Sequence, residues 1–228
     1  MEKLKIGLLV IATGKYDQFV PPLFKSMKKH FLTDCDVTMF VFSDQEMPEK
    51  SGLIHILQEH EGWPYATLKR YHVFDKNKEI LSKMDYLFYC DADMLFVDCV
   101  GKEILEDLVA TTHPGFYNGQ RGTYETRRES TAFVGAKEGC KYYAGGFNGG
   151  SSASFLKMSE KIKNNIDVDM KKNIIAVWHD ESHINRYFID NKPTISLSPS
   201  YCYPESWNLP FEKKILALDK NHNQLRVQ

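Results

Sequence analysis

The sequence predicts an α/β protein built on a Rossmann-like, mainly parallel sheet with helices on both faces, and three observations carry that prediction. Short apolar runs recur at Lys5-Ile11, Val37-Phe42, Ile54-Leu57 and Tyr86-Cys90. Strands that are apolar throughout belong to sheets buried on both sides. Between them lie segments with apolar residues at three- and four-residue spacing, the mark of helices with one buried face. Finally, 228 residues that are 43% hydrophobic and 26% charged suffice for a large core and exclude disorder, collagen and coiled coil.

In chain order, Lys5-Ile11 reads as the first buried strand, and Pro21-Leu32 as a helix with Leu23, Phe24, Met27 and Phe31 inward and proline in its first turn. Val37-Phe42 ends at Ser43-Asp44, and Ile54-Leu57 is a shorter third strand. Pro64 opens a helix carrying Leu68, Tyr71, Phe74 and Ile80-Leu81 before the strand Tyr86-Cys90. Beyond residue 110 the pattern loosens: Thr111-Lys141 lacks a clear period, Ser151-Ile166 reads as a capped helix, and Trp178-Ile189 as another. No repeat, linker or composition shift divides the chain, so one domain over 1–228 is expected. Ligands in such sheets bind beyond the carboxyl ends of the strands, which makes Ile11, Phe42 and Cys90 and the residues after them candidate site positions.

Lys and Arg number 29 against 30 Asp and Glu, a balance that lacks the cationic footprint of a nucleic-acid binder. Five cysteines without a C-x-x-C pair argue against a disulfide framework and a structural zinc site, and for a reducing compartment. The apolar run Ile6-Ala12 is too short for a membrane span and unlike a signal peptide, so a cytoplasmic protein is expected.

Asp91-Ala92-Asp93 directly follows a strand, where extended backbone would turn both carboxylates to one side. Two readings fit: a hard divalent cation that completes its shell with phosphate oxygens, or a pair of solvated turn residues. Asp34/Asp36 and Asp167/Asp169 share the spacing but sit among polar residues. Trp178-His179-Asp180-Glu181-Ser182-His183 also divides. A zinc-protease helix needs Glu directly after its first His, which Asp180 replaces. Asp180 as a helix cap with Glu181 at the dipole is the plain reading; Glu181 as the carboxylate beside a glycosyl carbon is the sharper one. In Tyr142 to Gly150, four glycines stand among aromatic rings, where turns are the commoner cause and close approach to a ligand the alternative. Lys69, Arg70, Lys220 and Arg226 are the cations nominated for phosphates.

Taken together, Val41-Phe42-Ser43-Asp44, Asp91-Ala92-Asp93-Met94, His113-Pro114-Gly115-Phe116-Tyr117, Thr123-Tyr124-Glu125, the segment 142–150, the segment 178–183 and Lys220-Asn221-His222 resemble the ABO histo-blood-group glycosyltransferases, family six. The resemblance spans nearly the whole chain. It implies a single GT-A domain, with residues 1–110 as the nucleotide-binding half and 111–228 as the acceptor half and tail. It also implies retaining transfer of N-acetylgalactosamine, or alternatively galactose, from a UDP-sugar to the 3-hydroxyl of a galactoside of lactose type.

On this resemblance Asp91 and Asp93 match a D-x-D that holds Mn²⁺, with Mg²⁺ as the alternative, and Glu181 matches the catalytic glutamate. The donor site would comprise Ile11, Tyr16 against uracil, Arg70, Asp91, Asp93, Asp180, the triplet Ala144-Gly145-Gly146, and the tail residues Lys220 and Arg226. His113, Trp178 and Glu181 would border the acceptor. Gly146 favours the acetamido-bearing donor, because one methyl in a tight pocket is worth about 1–3 kcal/mol. Thr126 departs from the pattern, Pro204-Glu205 replaces an acceptor-contacting region, and the strand beginning close to Met1 resembles bacterial and phage members. A carbohydrate-binding protein without catalysis and a nucleotide-sugar hydrolase are the rivals.

Overall fold

The computed structural model describes residues 3–221 and residue 225. In chain order the first half runs β1 (Lys5–Ile11), a 3-10 turn (Gly14–Phe19), α1 (Val20–His30), β2 (Asp36–Ser43), β3 (Leu53–Leu57), α2 (Tyr65–Leu68), α3 (Arg70–Lys76), α4 (Lys78–Leu81), β4 (Tyr86–Cys90) and β5 (Met94–Phe96). The second half adds β6 (Leu108–Thr112), β7 (Tyr143–Ser151), α5 (Ser152–Lys171), α6 (His179–Asp190), β8 (Ile195–Leu197), β9 (Tyr203–Pro204) and β10 (Ile215–Ala217). Seven strands form one sheet in the order β3-β2-β1-β4-β7-β6-β8, and β5, β10 and β9 form a small second sheet. In the seven-stranded sheet pairing is parallel except where β7 inserts antiparallel between β4 and β6, which gives the mixed, mainly parallel sheet expected.

Alternation along each strand divides the core. Leu8, Val10, Met39 and Val41 point to the face covered by α1, where Leu23, Met27 and Phe31 lie. Leu9, Phe40 and Phe42 point to the other face, against Phe74, Phe155, Ile162 and Ile184. Each of these side chains is fully buried, worth about 1.5–3 kcal/mol apiece, so both faces resist displacement.

Two elements differ from the sequence reading. The helix expected from Pro64 to Leu81 is three short pieces that break at Lys69 and Asn77. At the second break the Asn77 amide donates to the Val73 carbonyl at 2.8 Å, a local bond that competes with helix propagation. The first break places Arg70 at the start of α3, facing the sheet end. The glycine cluster, for which turns are the commoner expectation, is strand β7. A Cβ on Gly149 would stand 2.3 Å from Phe88 Cδ1 and 2.4 Å from the Leu87 carbonyl oxygen, so the glycine permits a close approach inside the sheet.

Helix α5 follows the sequence closely. Ser151 caps it by accepting from the Ser154 amide, and Phe155, Ile162 and Ile166 are fully buried. No helix of the described residues is long and apolar enough to cross a membrane, and all five cysteines are free thiols.

Candidate active site

The site forms where β1 and β4 end beside the start of the antiparallel β7. The Asp91 amide donates to the Gly146 carbonyl at 2.9 Å, extending the β4–β7 ladder by one step. That bond sets the acidic pair beside the triplet Ala144-Gly145-Gly146. Asp91-Ala92-Asp93 itself is a turn between β4 and β5 and not the extended backbone expected. Both carboxylates nevertheless line one cleft of about 360 Å³, with Ile11, Tyr16, Arg70 and Lys220 also in its walls. The Leu218 amide donates to the Asp93 carbonyl at 2.9 Å and brings the tail across the cleft. Lys220 thereby pairs with Asp93, and its ammonium stands 5.5 Å from the Tyr16 ring centre. Two hard carboxylates, Asp93 facing Lys220 and Asp91 facing Arg70, are the donor chemistry that a hard divalent ion takes.

The loop after β1 is shaped from β2. Gly14 adopts φ +58°, left-handed backbone that favours glycine, and its amide donates to Asp44 Oδ1 at 2.7 Å. Asp44, just past the end of β2, thus fixes the turn that carries Tyr16.

Arg70 is 6% exposed and joins the parts. Its Nε is 3.0 Å from Asp180, one terminal nitrogen is 3.3 Å from Asp91, the other donates to the Gly145 carbonyl at 2.9 Å, and its plane lies over Tyr89 at 4.2 Å. Burial works against its charge, but Asp180, Tyr89 and Asp91 more than offset this and hold it protonated. Asp180 is buried at 1% exposure, and burial pushes its carboxyl up to about 6 despite Arg70. It therefore belongs to the Arg70 network and does not cap α6; the N-cap is Trp178, which has no side-chain cap bond. His179 enters the helix at φ +50°, strained backbone of the kind found at functional sites.

Glu181 accepts the Gly145 amide at 2.8 Å. Burial raises its carboxyl to about 7, with that amide pulling the other way. Asn185, one turn along α6, both accepts from the Tyr143 amide and donates to the Tyr143 carbonyl at 2.8 Å, clamping α6 onto β7. The same amide also bonds the Glu181 carbonyl at 2.9 Å.

On the far side of Glu181, His113 lies 5.6 Å from Tyr142 and 4.9 Å from Phe116, ring centre to ring centre. Its Nδ1 accepts the Gly115 amide at 3.0 Å. Burial lowers its basicity to about 4, which leaves the ring neutral with the proton on Nε2. Trp178 is 49% exposed at the helix start.

The cleft therefore gathers Ile11, Tyr16, Arg70, Asp91, Asp93 and Lys220, and Arg70 ties Asp180, Gly145 and Glu181 to it. Ala144 is buried in β7, and Arg226 lies outside the described residues. Lys69 turns away to pair with Glu61. His179 and His183 do not converge: His179 packs edge-on against Trp63 at 5.2 Å, while His183 is buried 3.9 Å from Asp169. Sequence reasoning missed Thr13, His60, Trp63 and Tyr89 as cleft residues. Tyr89 was legible, standing two residues before Asp91 in a strand; His60 and Trp63 lie in a loop without pattern.

The family model for Glycosyltransferase family 6 matches residues 1–227. The chain belongs to this family. It is 34% identical over 242 residues to rat Histo-blood group ABO system transferase 1, covering 99% of this chain and 70% of the relative. It is 34% identical over 238 residues to human Globoside alpha-1,3-N-acetylgalactosaminyltransferase 1, covering 98% and 69%. The Escherichia coli O-antigen biosynthesis glycosyltransferase WbnI is 32% identical over 222 residues, covering 94% of each chain. As a family 6 member the chain is a hexosyltransferase, which takes a nucleotide-sugar donor and a glycan acceptor, and its seven-stranded mixed sheet is of GT-A type. That standing removes the non-catalytic binding protein as a rival.

Proposed function

We propose that the enzyme moves N-acetylgalactosamine from UDP-N-acetylgalactosamine to the 3-hydroxyl of a β-galactoside, with retention and an α-1,3 linkage. One observation carries this reading: the Glu181 carboxylate is held by Gly145 beside a cleft that ends in Asp91 and Asp93, with Arg70 bridging the two ends. A leaving-group end and a carboxylate end, set side by side, are what substitution at an anomeric carbon requires. The human relative's name, an α-1,3-N-acetylgalactosaminyltransferase, supports the sugar and linkage.

Tyr16 stacks on the uracil, while Arg70 and Lys220 face the diphosphate. Asp91 and Asp93 would hold Mn²⁺, or Mg²⁺ in its place. When bound there, the cation lends Lewis acidity to the departing diphosphate. Glu181 must be ionised to act. It either captures the anomeric carbon as a glycosyl ester or stabilises its developing charge while the acceptor attacks from the leaving-group face; both routes retain configuration. Neutral His113 offers its Nε2 proton to an acceptor oxygen, and Trp178 packs on the sugar's apolar face.

UDP-galactose is the second reading, favoured by the narrow space at Gly146. A Cβ there would meet Asp91 Oδ2 at 3.1 Å and Cys202 Sγ at 3.2 Å. The test is a radiolabelled donor panel crossed with lactose and 2'-fucosyllactose, with and without Mn²⁺, and NMR assignment of the product linkage. Transfer of N-acetylgalactosamine in α-1,3 linkage is expected. UDP release without product, or a β-linked product, overturns the proposal.

A further inference from the structure

We infer that Glu125 is a positioning residue for the acceptor side of the site: from the segment between β6 and β7, its carboxylate holds the turn 176–179 that aims Trp178. The inference rests on the acceptor role read for Trp178 above and extends it to a residue that touches no substrate.

The turn is closed by the His179 amide, which donates to the Ala176 carbonyl at 2.9 Å. Its two central amides both end on side chains. Val177 donates to Glu125 Oε2 at 2.9 Å, and Trp178 donates to Ser182 Oγ at 3.0 Å. Ser182 lies one turn along α6, whereas Glu125 comes from 52 residues away. His179 leaves the turn in left-handed backbone, at φ +50°. A residue with a side chain stays in that conformation only where its surroundings over-determine it. Trp178, the N-cap residue, makes no side-chain cap bond, so the amide just outside the helix depends on Glu125.

Glu125 is 2% exposed and is gripped by Arg127. The Arg127 amide and Nε donate to Oε1 at 2.8 and 3.0 Å, and one terminal nitrogen donates to Oε2 at 2.6 Å. Burial opposes the charge, but the Arg127 bonds and the Val177 amide hold the carboxyl down at about 2. The same terminal nitrogen of Arg127 donates to the Ile175 carbonyl at 2.5 Å, so the ion pair holds the chain on both sides of Ala176. The segment that carries Glu125 is itself moored. The Val134 amide donates to the Glu125 carbonyl at 2.8 Å, and Asp169 of α5 accepts from the Ser130 hydroxyl and the Thr131 amide at 2.5 and 2.7 Å. Glu181 has anchors of its own in the Gly145 amide and the Asn185 side chain. Loosening the turn therefore displaces Trp178 first.

The experiment is steady-state kinetics with UDP-N-acetylgalactosamine and lactose, plus thermal melting, on the wild type, Glu125→Ala, Glu125→Asp, Ser182→Ala and Arg186→Ala. Glu125→Asp keeps the charge but shortens the reach by one methylene, and with Ser182→Ala it carries the test should Glu125→Ala fail to fold. Arg186 donates to the Phe133 carbonyl at 3.3 Å and so ties the same segment without bonding to the turn. Lactose KM should rise about tenfold in Glu125→Ala and about threefold in Glu125→Asp and Ser182→Ala, because a misplaced binding ring loses its contact with the sugar. Donor KM and kcat should stay within about twofold of wild type. Arg186→Ala should lower Tm and leave both KM values unchanged. Lactose KM within about twofold of wild type in the Glu125 variants, or donor KM rising in parallel with it, overturns the inference. So does a rise in Arg186→Ala equal to that in the Glu125 variants, since the segment as a whole would then be responsible. A wild-type chain that moves no sugar to lactose overturns the acceptor reading and this inference with it; failure in the variants alone spares that reading.

Discussion

The peptide unit of Gly145 is shared between Glu181 and Arg70: its amide donates to the carboxylate at 2.8 Å and its carbonyl accepts from the guanidinium at 2.9 Å. A strand residue with no side chain thereby aligns the carboxylate of one helix with the cation of another. Replacing Arg70 by Lys keeps the charge but removes the planar fork that reaches Asp180, Gly145 and Asp91 at once. Arg70→Lys should lower kcat/KM by about 10²-fold and leave buried Asp180 short of a partner; steady-state kinetics with calorimetric melting would show both losses together.

Glu181→Gln retains an oxygen for the Gly145 amide but cannot carry negative charge. Turnover should fall by about 10³-fold while UDP-sugar binding changes little. Undiminished turnover, measured by release of labelled UDP in the presence of acceptor, would remove Glu181 from the chemistry.

If Glu181 acts as proposed, its ionised form is the active one, and burial raises its carboxyl to about 7. The acid limb of kcat/KM should therefore rise through about pH 7, above the range of an ordinary carboxylate. The same shift affects stability in the opposite sense. Between the unfolded value of 4.5 and about 7 the folded state holds a proton that the unfolded state has lost, so this group's contribution falls as pH rises across that window. Chemical unfolding at pH 5 and pH 8, compared between the wild type and Glu181→Gln, isolates it.

Chelation should abolish transfer if Asp91 and Asp93 hold the cation as proposed. Asp93→Asn should weaken Mn²⁺ binding, read by electron paramagnetic resonance in the presence of UDP, by about 10-fold or more. Full activity in EDTA would exclude the metal-assisted scheme.

A methyl at Gly149 meets both the Phe88 ring and the Leu87 carbonyl, and backbone cannot yield cheaply. Gly149→Ala should cost about 3 kcal/mol, the upper range for overpacking. For a chain of this length that lowers Tm by roughly 6–12 °C, which scanning calorimetry would register.

The sequence by itself determined the local parts. Strands Lys5–Ile11 and Tyr86–Cys90 were legible because unbroken apolar runs have no other stable use. The capped helix after Ser151 follows from hydroxyl chemistry at its first turn. The acidic pair and the 178–183 segment stood out by residue type, but each left two readings open.

Only the tertiary structure decided how these parts meet. Arg70 reaches a carbonyl 75 residues away, and Glu181 an amide 36 residues away. Asp180 reads as a cap in sequence and becomes a buried ion-pair partner in the fold. The glycines of 145–150 read as turns and become a strand. Nothing in the sequence near Cys202 announces that its sulfur faces Gly146. The physical reason is the same in each case: periodicity reports which face of an element is buried, whereas a site is made from contacts between ends of elements, and those are fixed only when the sheet closes around its register.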